Sequence, residues 1–138
     1  MSQSLERMRG FTLLELLVVL VILGLIGSIA APQVFKWLNK ANVDAAKIQI
    51  SALSSGVDLY RLEAGSYPPS LKALIVRPND VSRWNGPYLK KNTLPKDPWG
   101  REYQYQYPGD HGIYDLYSLG ADGEVGGEGE NADLTNWE

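Results

Sequence analysis

The stretch that decides the fold is LLVVLVILGLIGSIAAPQVF, residues 16–35. It holds no charged residue, and about twenty residues at ~1.5 Å each reach ~30 Å, the thickness of the hydrocarbon core of a bilayer. The segment is therefore long and apolar enough to span a membrane. Arg7 and Arg9 precede it, against Glu6, and positive charge beside an apolar span favours a cytoplasmic location for that end. We expect the rest of the chain to lie outside the cytoplasm.

The composition of the chain excludes several classes of protein. A length of 138 residues fits a single folded unit. The absence of cysteine excludes disulfides, thiolate metal sites and a cysteine nucleophile. A net charge of -3 argues against a nucleic-acid binder, which needs a clustered basic face, so we expect no nucleic-acid partner.

Three interpretations of the apolar segment compete. It can be a secretory signal peptide, cleaved between Ala30 and Ala31, because SIA offers small residues at the required positions. It can also be a plain membrane anchor. Neither interpretation explains Glu15, because a carboxylate deep in a membrane costs about 2.5–3.5 kcal/mol. The third interpretation gives this glutamate a role.

Residues 9–15 read RGFTLLE. This junction, followed by an uncharged run, resembles the class III leader of type IV pilins and type II secretion pseudopilins. The resemblance implies that a prepilin peptidase cuts after Gly10 and methylates the new amino terminus on Phe11. Residues 1–10 would then be a removed leader, and residues 11–35 would remain as the membrane and filament-core half of a long helix.

Glu15 becomes the fifth residue of such a mature chain. A carboxylate in an apolar layer can be stabilised by the amino terminus of a neighbouring copy, on Phe11, because an α-amine with a pKa of ~8 is largely positive at neutral pH. Head-to-tail contacts that do not close into a ring generate a helical filament. We therefore expect assembly through Phe11, Glu15 and the segment around Pro32. Pro32 predicts a kink, and the resemblance implies that residues 24–32 can lose helicity on assembly.

Apolar residues continue at helical spacing beyond the membrane segment, with polar residues between them. The members of this stripe are Val43, Ala46, Ile50, Leu53, Val57 and Tyr60. A breaker follows at residues 65–69, which read GSYPP. The pattern predicts one helix over residues 11–63, whose second half packs its stripe against a globular head.

The head is predicted to contain a small antiparallel sheet. Residues 101–107 read REYQYQY, an alternation of polar and aromatic side chains that predicts a half-buried strand. Turn residues at 108–112 separate it from a second strand at 113–119. We also expect a short helix at 70–76, capped by its first serine, and a rigid turn at 97–100 with its tryptophan packed beside the sheet. The fold class is therefore α+β.

The last segment is acidic and rich in glycine, and Arg101 is the last lysine or arginine. The acidic residues after residue 107 are Asp110, Asp115, Asp122, Glu124, Glu128, Glu130, Asp133 and Glu138. This segment is either a solvated tail or an ordered loop that needs a counter-ion. Hard oxygen ligands without histidine or cysteine select calcium. The twelve-residue calcium-loop template matches in part, with Asp122, Glu124, Gly127, Glu130 and Asp133 at positions 1, 3, 6, 9 and 12, but no helix enters the loop, so it is not an EF-hand.

The same segment carries a second resemblance. Residues 119–123 (LGADG) and 132–137 (ADLTNW) resemble the calcium-binding terminal loop of major pseudopilins. The resemblance implies calcium as the cofactor, with side-chain ligands from Asp122 and Asp133 and backbone oxygens from Leu119 and Glu124. Further candidate ligands are Val125, Glu128 and Asn131.

Enzymatic activity is not expected. His111, Asp115 and Ser118 contain the residue types of a catalytic triad, but the histidine lies in a turn and no nucleophile elbow is present. We expect His111 to be exposed. The chain also lacks a Walker loop, so energy for assembly must come from a partner ATPase.

Together, these motifs resemble the major pseudopilins of type II secretion over nearly the whole chain. The resemblance implies a filament subunit in the bacterial inner membrane, with residues 36–138 as a periplasmic helix and head, that helps to push folded proteins through an outer-membrane secretin. The implied partners are further copies of the chain, minor pseudopilins, the prepilin peptidase, the inner-membrane assembly platform and the cytoplasmic secretion ATPase. A type IV pilin of a surface fibre and a secreted calcium-binding module remain the alternatives.

Overall fold

The computed structural model of the chain describes residues 9–138. Most of the predicted leader, including Glu6 and Arg7, therefore lies outside the described residues. The described chain contains one long helix and three short strands. It divides into two compact units, with the boundary between Leu38 and Asn39.

Helix α1 spans Leu13–Ala64 and includes Pro32, which has no backbone N–H to donate to the preceding turn. The sequence predicted residues 11–63, so both ends agree to within two residues. Gly65 ends the helix because it adopts a φ of 84°, which favours glycine, while its amide donates to the carbonyl of Arg61 at 2.9 Å. Residues 24–32 are helical in this chain, and their loss of helicity on assembly stays a prediction.

The core of the second unit is built on one face of α1. The predicted stripe is confirmed there: Ala46, Ile50, Leu53, Val57 and Tyr60 are buried, and Val43 is half-buried. They pack with apolar side chains from the rest of the head, namely Leu71, Ala73, Leu74, Tyr103, Leu116 and Leu134. Each fully buried valine, leucine or isoleucine among them contributes about 1.5–3 kcal/mol of hydrophobic stabilisation, so this face anchors the head to the helix.

The predicted helix at 70–76 is shorter, a 3-10 turn over Leu71–Leu74, and the side chain of Ser70 makes no capping hydrogen bond. Longer-range donors take the carbonyls that a longer helix would use. The indole Nε1 of Trp84 donates to the carbonyl of Ala73 at 2.8 Å, and the amide of Tyr88 donates to the carbonyl of Leu74 at 2.8 Å. These bonds tie the following loop to the core.

The sheet is antiparallel with the order β1-β2-β3, where β1 is Gln104–Gln106, β2 is Asp115–Ser118 and β3 is Leu134–Thr135. Both predicted strands exist but are shorter than 101–107 and 113–119. The first predicted strand is shorter at its start because Arg101 belongs to the preceding turn, where its carbonyl accepts a hydrogen bond from the amide of Asp97 at 2.7 Å. The third strand was not predicted, because its two residues are too few to show an alternation.

The sheet packs against the stripe of α1 through alternate residues. Tyr103, just before β1, and Leu116 of β2 are buried against it. Tyr105, opposite Leu116 in the register, is half-buried and donates its hydroxyl to the carbonyl of Pro68 at 2.9 Å. The fold class predicted from the sequence is thus confirmed for the helix and the sheet.

Candidate functional site

The amino-terminal site is the start of α1, where Thr12 is the cap. Its hydroxyl Oγ1 accepts a hydrogen bond from the amide of Glu15 at 3.2 Å, and its carbonyl accepts from the amide of Leu16 at 3.2 Å. Threonine three residues before glutamate is the spacing of a capping box. The carboxylate of Glu15 therefore lies in the first turn of the helix, where the helix dipole favours negative charge. Sequence reasoning missed Thr12, although this spacing was the available signal.

Gly10 and Phe11, the predicted processing residues, precede the helix and are both exposed. Phe11 is 84% exposed, so the described residues leave the bond between them open to an enzyme. An added Cβ at Gly10 would meet nothing within 4 Å. The structure thus brings Gly10, Phe11 and Glu15 together at one helix start.

The first half of α1 is apolar and unburied. Its large side chains between Leu13 and Phe35 are about half exposed or more, and the helix is long and apolar enough to cross a membrane. Such a surface is not stable in water, so it needs lipid or other apolar protein surface around it. Ser28 satisfies its own hydroxyl, which donates to the carbonyl of Leu25 at 2.8 Å. Pro32 lies inside the helix four residues after this serine.

The predicted turn at 97–100 is confirmed and is centred on the carboxylate of Asp97. This side chain is only 4% exposed. Its Oδ1 accepts from the amides of Trp99 at 3.1 Å and Arg101 at 2.8 Å, and its Oδ2 accepts from the hydroxyl of Ser118 at 2.7 Å. Trp99 packs against the core. The turn therefore joins the start of the sheet to the end of β2, where the terminal loop begins.

The terminal loop, residues 119–133, is the candidate metal site. Five of its glycines adopt positive φ, which other residues avoid: Gly120, Gly123, Gly126, Gly127 and Gly129. The loop closes on itself, because a Cβ at Gly120 would collide with the carbonyl of Ala132. Its glycine content is therefore explained by backbone geometry.

Two aspartates organise the loop. Oδ1 of Asp122 accepts from the amide of Glu124 at 3.0 Å, and Oδ2 of Asp133 accepts from the amide of Gly126 at 3.0 Å. The other oxygen of Asp133, Oδ1, is buried and finds no hydrogen-bond partner among the described residues. A buried carboxylate oxygen without a donor is costly. This atom is the observation that fits a bound cation.

The other predicted ligands lie on the same loop. Leu119 is half-buried, and the exposed candidates are Asp122, Glu124, Val125, Glu128 and Asn131. Within residues 9–138, no three His, Asp or Glu side chains come close enough to hold a metal ion. Glu130, at position 9 of the template, instead accepts from Nδ2 of Asn39 at 2.6 Å. A metal here would need backbone oxygens beside the two aspartates.

His111, Asp115 and Ser118 do not form a triad. Ser118 is buried and donates to Asp97, whereas Nδ1 of His111 lies 2.8 Å from Oδ2 of Asp115. The imidazole of His111 is exposed, as predicted, and stacks on the indole of Trp137 with centroids 4.1 Å apart. Burial would raise the pKa of the Asp115 carboxyl, but hydrogen bonds from the side chain of His111 and from the amides of Asp110 and His111 hold that pKa below its ordinary 3.8. This arrangement is a structural turn.

Comparison with known proteins agrees with this architecture. A family profile described as "Type II secretion system (T2SS), protein G" matches residues 33–137, and one described as "Prokaryotic N-terminal methylation motif" matches residues 7–31. The chain belongs to the type II secretion system protein G family. The resemblance drawn from the sequence is thereby confirmed, and the methylation motif argues against an ordinary signal peptide.

Individual relatives cover nearly the whole chain. It is 43% identical over 141 residues to type II secretion system core protein G of Vibrio cholerae, covering 98% of this chain and 95% of that protein. It is 46% identical over 136 residues to the core protein G of Pseudomonas aeruginosa, covering 94% of each. Among solved structures, it resembles the major pseudopilin of the type 2 secretion system of enterohaemorrhagic Escherichia coli, with a TM-score of 0.60, 31% identity, and coverage of 75% of this chain and 92% of that one.

The family is one of structural pseudopilins and is not an enzyme family. A membrane-anchored chain agrees with the methylation motif and with the apolar helix. The type IV pilin and the secreted module are not favoured by these comparisons.

Proposed function

We propose that this chain is the major subunit of a periplasmic pseudopilus that helps to push folded proteins through an outer-membrane secretin. The observation that carries the proposal is helix α1, whose first half is apolar and unburied while its second half anchors a folded head. A helix of this kind can sit in a bilayer before assembly and exchange lipid for the same helix of neighbouring copies during assembly. The filament acts mechanically.

The proposed location is the inner membrane, with a single span and the head in the periplasm. Support comes from the basic residue Arg9, which precedes the span and favours a cytoplasmic location for that end, and from the absence of charge in residues 16–35. The proposed partners are minor pseudopilins, the prepilin peptidase, the assembly platform and the cytoplasmic secretion ATPase. The chain itself has no phosphate-binding loop, so the ATPase must be a separate protein.

Processing is proposed to remove residues 1–10 and to methylate the amine of Phe11. Intact-mass and amino-terminal analysis of the chain extracted from membranes tests this directly. The expected product begins at N-methylated Phe11. A product that begins at Ala31 would instead support ordinary signal cleavage, and an uncut chain would support a plain anchor.

Calcium is proposed as the ion held by the terminal loop. Asp133, whose Oδ1 has no donor among the described residues, and Asp122 would supply side-chain oxygens, and the carbonyls of Leu119 and Glu124 would supply backbone oxygens. Val125, Glu128 and Asn131 are further candidates. The ion would supply positive charge that links the two ends of an acidic loop. Its oxygen-only surroundings suit calcium better than a transition metal.

Isothermal titration of the full chain in detergent tests the ion. We expect calcium binding in the wild type and its loss in Asp133→Asn, which keeps the size of the side chain but removes its charge. The matched control is Asp110→Asn, which removes an exposed aspartate outside the loop. Equal binding by Asp133→Asn and by the control, or no binding by the wild type at millimolar calcium, would contradict the proposal.

A further inference from the structure

Arg101 occupies an unusual place in the charge pattern. It is the last lysine or arginine of the chain, and it lies immediately after the turn at 97–100. Every later charged side chain, apart from His111, is acidic. A single guanidinium near this loop is therefore an important local positive charge.

The guanidinium of Arg101 bonds to the backbone of the terminal loop and not to its carboxylates. Its Nη1 donates to the carbonyl of Gly120 at 3.0 Å and lies 3.5 Å from the carbonyl of Ala121. The side chain is half-buried in this position. Both contacts are made by the same nitrogen, and the one to Gly120 is the shorter.

Gly123 forms the other wall of this position. A Cβ on Gly123 would collide with Nε, Cζ and Nη2 of Arg101, and the residue also has a φ of 69°. Gly126 has a comparable φ of 90°, but a Cβ there would meet nothing within 4 Å. The two glycines share a backbone requirement, and only Gly123 leaves space for the guanidinium.

A closed set of hydrogen bonds fixes both ends of Arg101. Its backbone amide donates to Asp97, which accepts from the hydroxyl of Ser118, and this hydroxyl in turn accepts from the amide of Gly120 at 3.3 Å. Gly120 then returns to Arg101 through its carbonyl. Because Asp97 and Ser118 are buried, this circuit is shielded from water and joins the turn to the loop.

We propose that Arg101 is the positioning residue of the terminal loop, a built-in cation that fills the turn between Gly120 and Gly123 and orders it in the absence of a metal ion. Its positive charge beside the carbonyl of Gly120 disfavours a second cation at that oxygen, so a metal ion would bind other oxygens of the loop. The metal part of this inference rests on the calcium site proposed above. The ordering by Arg101 does not.

Hydrogen exchange of the full chain in detergent, followed by mass spectrometry, tests the proposal. In a calcium chelator, amides of residues 119–133 are expected to exchange about tenfold faster in Arg101→Met than in the wild type, because local opening limits exchange. Millimolar calcium is expected to restore part of the protection. Arg101→Lys keeps the charge but not the planar guanidinium that fills the space beside Gly123, so its exchange rate should lie between those of the wild type and Arg101→Met. The control Lys96→Met removes a nearby exposed charge and should match the wild type.

A second pair of variants covers the case in which Arg101→Met also destabilises the core between α1 and the head. Gly123→Ala and Gly126→Ala impose similar backbone strain, but only the first displaces the guanidinium. We expect the loop amides to exchange faster in Gly123→Ala than in Gly126→Ala. Equal exchange in this pair, or wild-type exchange in Arg101→Met under chelation, would overturn the role of Arg101. An Arg101 effect that calcium never alters would leave that role intact and count against the calcium site alone.

Discussion

At the scale of single residues, Glu15 takes part in two interactions, one expected with a neighbouring copy and one within its own chain. The sequence suggested a carboxylate that waits for the amino terminus of a neighbouring copy. The structure adds a contact within the chain: the amide of Glu15 donates to the hydroxyl of Thr12, which caps the helix. The cap uses only the backbone of Glu15, so its carboxylate stays available to another chain.

Substitution separates these two roles. Glu15→Leu keeps the backbone amide and should leave membrane insertion unchanged while filament yield falls by about tenfold or more, because the amino terminus of the neighbouring copy loses the carboxylate that neutralises it. Thr12→Ala removes the cap, which costs about 1 kcal/mol of helix stability, and should leave filaments largely intact. Electron microscopy of overproduced filaments gives the yield. Normal yield from Glu15→Leu would contradict the charge pairing.

Asp115 should make the head sensitive to acid. Because its pKa in the folded chain lies below 3.8, its contribution to stability is complete above that pH and is lost as the pH falls through the folded value. Urea unfolding of the full chain at several pH values below 5 is the measurement. Asp115→Asn should be less stable at neutral pH and should lose less stability on acidification. Parallel curves for the two chains would contradict this assignment.

At the scale of elements, α1 carries the information that fixes the head. Its stripe was predictable because apolar residues at helical spacing leave few alternatives. The 3-10 turn and the short third strand were not predictable, because donors from Trp84 and Tyr88 and the pairing with β2 decide them. Local sequence cannot reveal partners that are distant in the chain.

Truncation of the stripe should be costly, and truncation beside it should not. Leu53→Ala removes a side chain that is 1% exposed and should lower the free energy of unfolding by about 2–5 kcal/mol. Ile48→Ala, on the same helix but 70% exposed, should change it by about 0.5 kcal/mol or less. Urea unfolding measures both. Equal effects would mean that this face of α1 does not form the core.

Removal of the hydroxyl of Tyr60, unlike truncation of Leu53, should not lower the free energy of unfolding. This hydroxyl is buried without a hydrogen-bond partner among the described residues. Tyr60→Phe should therefore be neutral or stabilising by about 1 kcal/mol, because it removes a desolvated polar atom and keeps the ring. The same unfolding measurement decides. A loss of more than about 1 kcal/mol would show that the hydroxyl is satisfied in solution.

At the scale of the whole molecule, one unit exposes an apolar helix and the other has a core of its own. The motifs at the start of the helix were readable because they consist of residue types at fixed offsets. The terminal loop was only partly readable. Its acids and glycines suggested a calcium template, but the bond between Glu130 and Asn39 and the place of Arg101 depend on how the loop folds back.

Calcium should stabilise the whole chain through this loop. Once its concentration exceeds Kd, each tenfold increase should raise the free energy of unfolding by about 1.4 kcal/mol, since the ion binds the folded loop. Thermal unfolding across a calcium series measures this dependence. Asp133→Asn should show none, while Asp110→Asn should follow the wild type. A calcium-independent midpoint in the wild type would contradict the site.

We propose that the amino terminus of one processed copy neutralises Glu15 of the next copy in the filament. An electron cryomicroscopy reconstruction of the filament, at a resolution that shows side chains, tests it most directly. We expect the methylated amine of Phe11 within about 4 Å of the Glu15 carboxylate of a neighbouring subunit. A filament in which this carboxylate contacts only its own chain would contradict it.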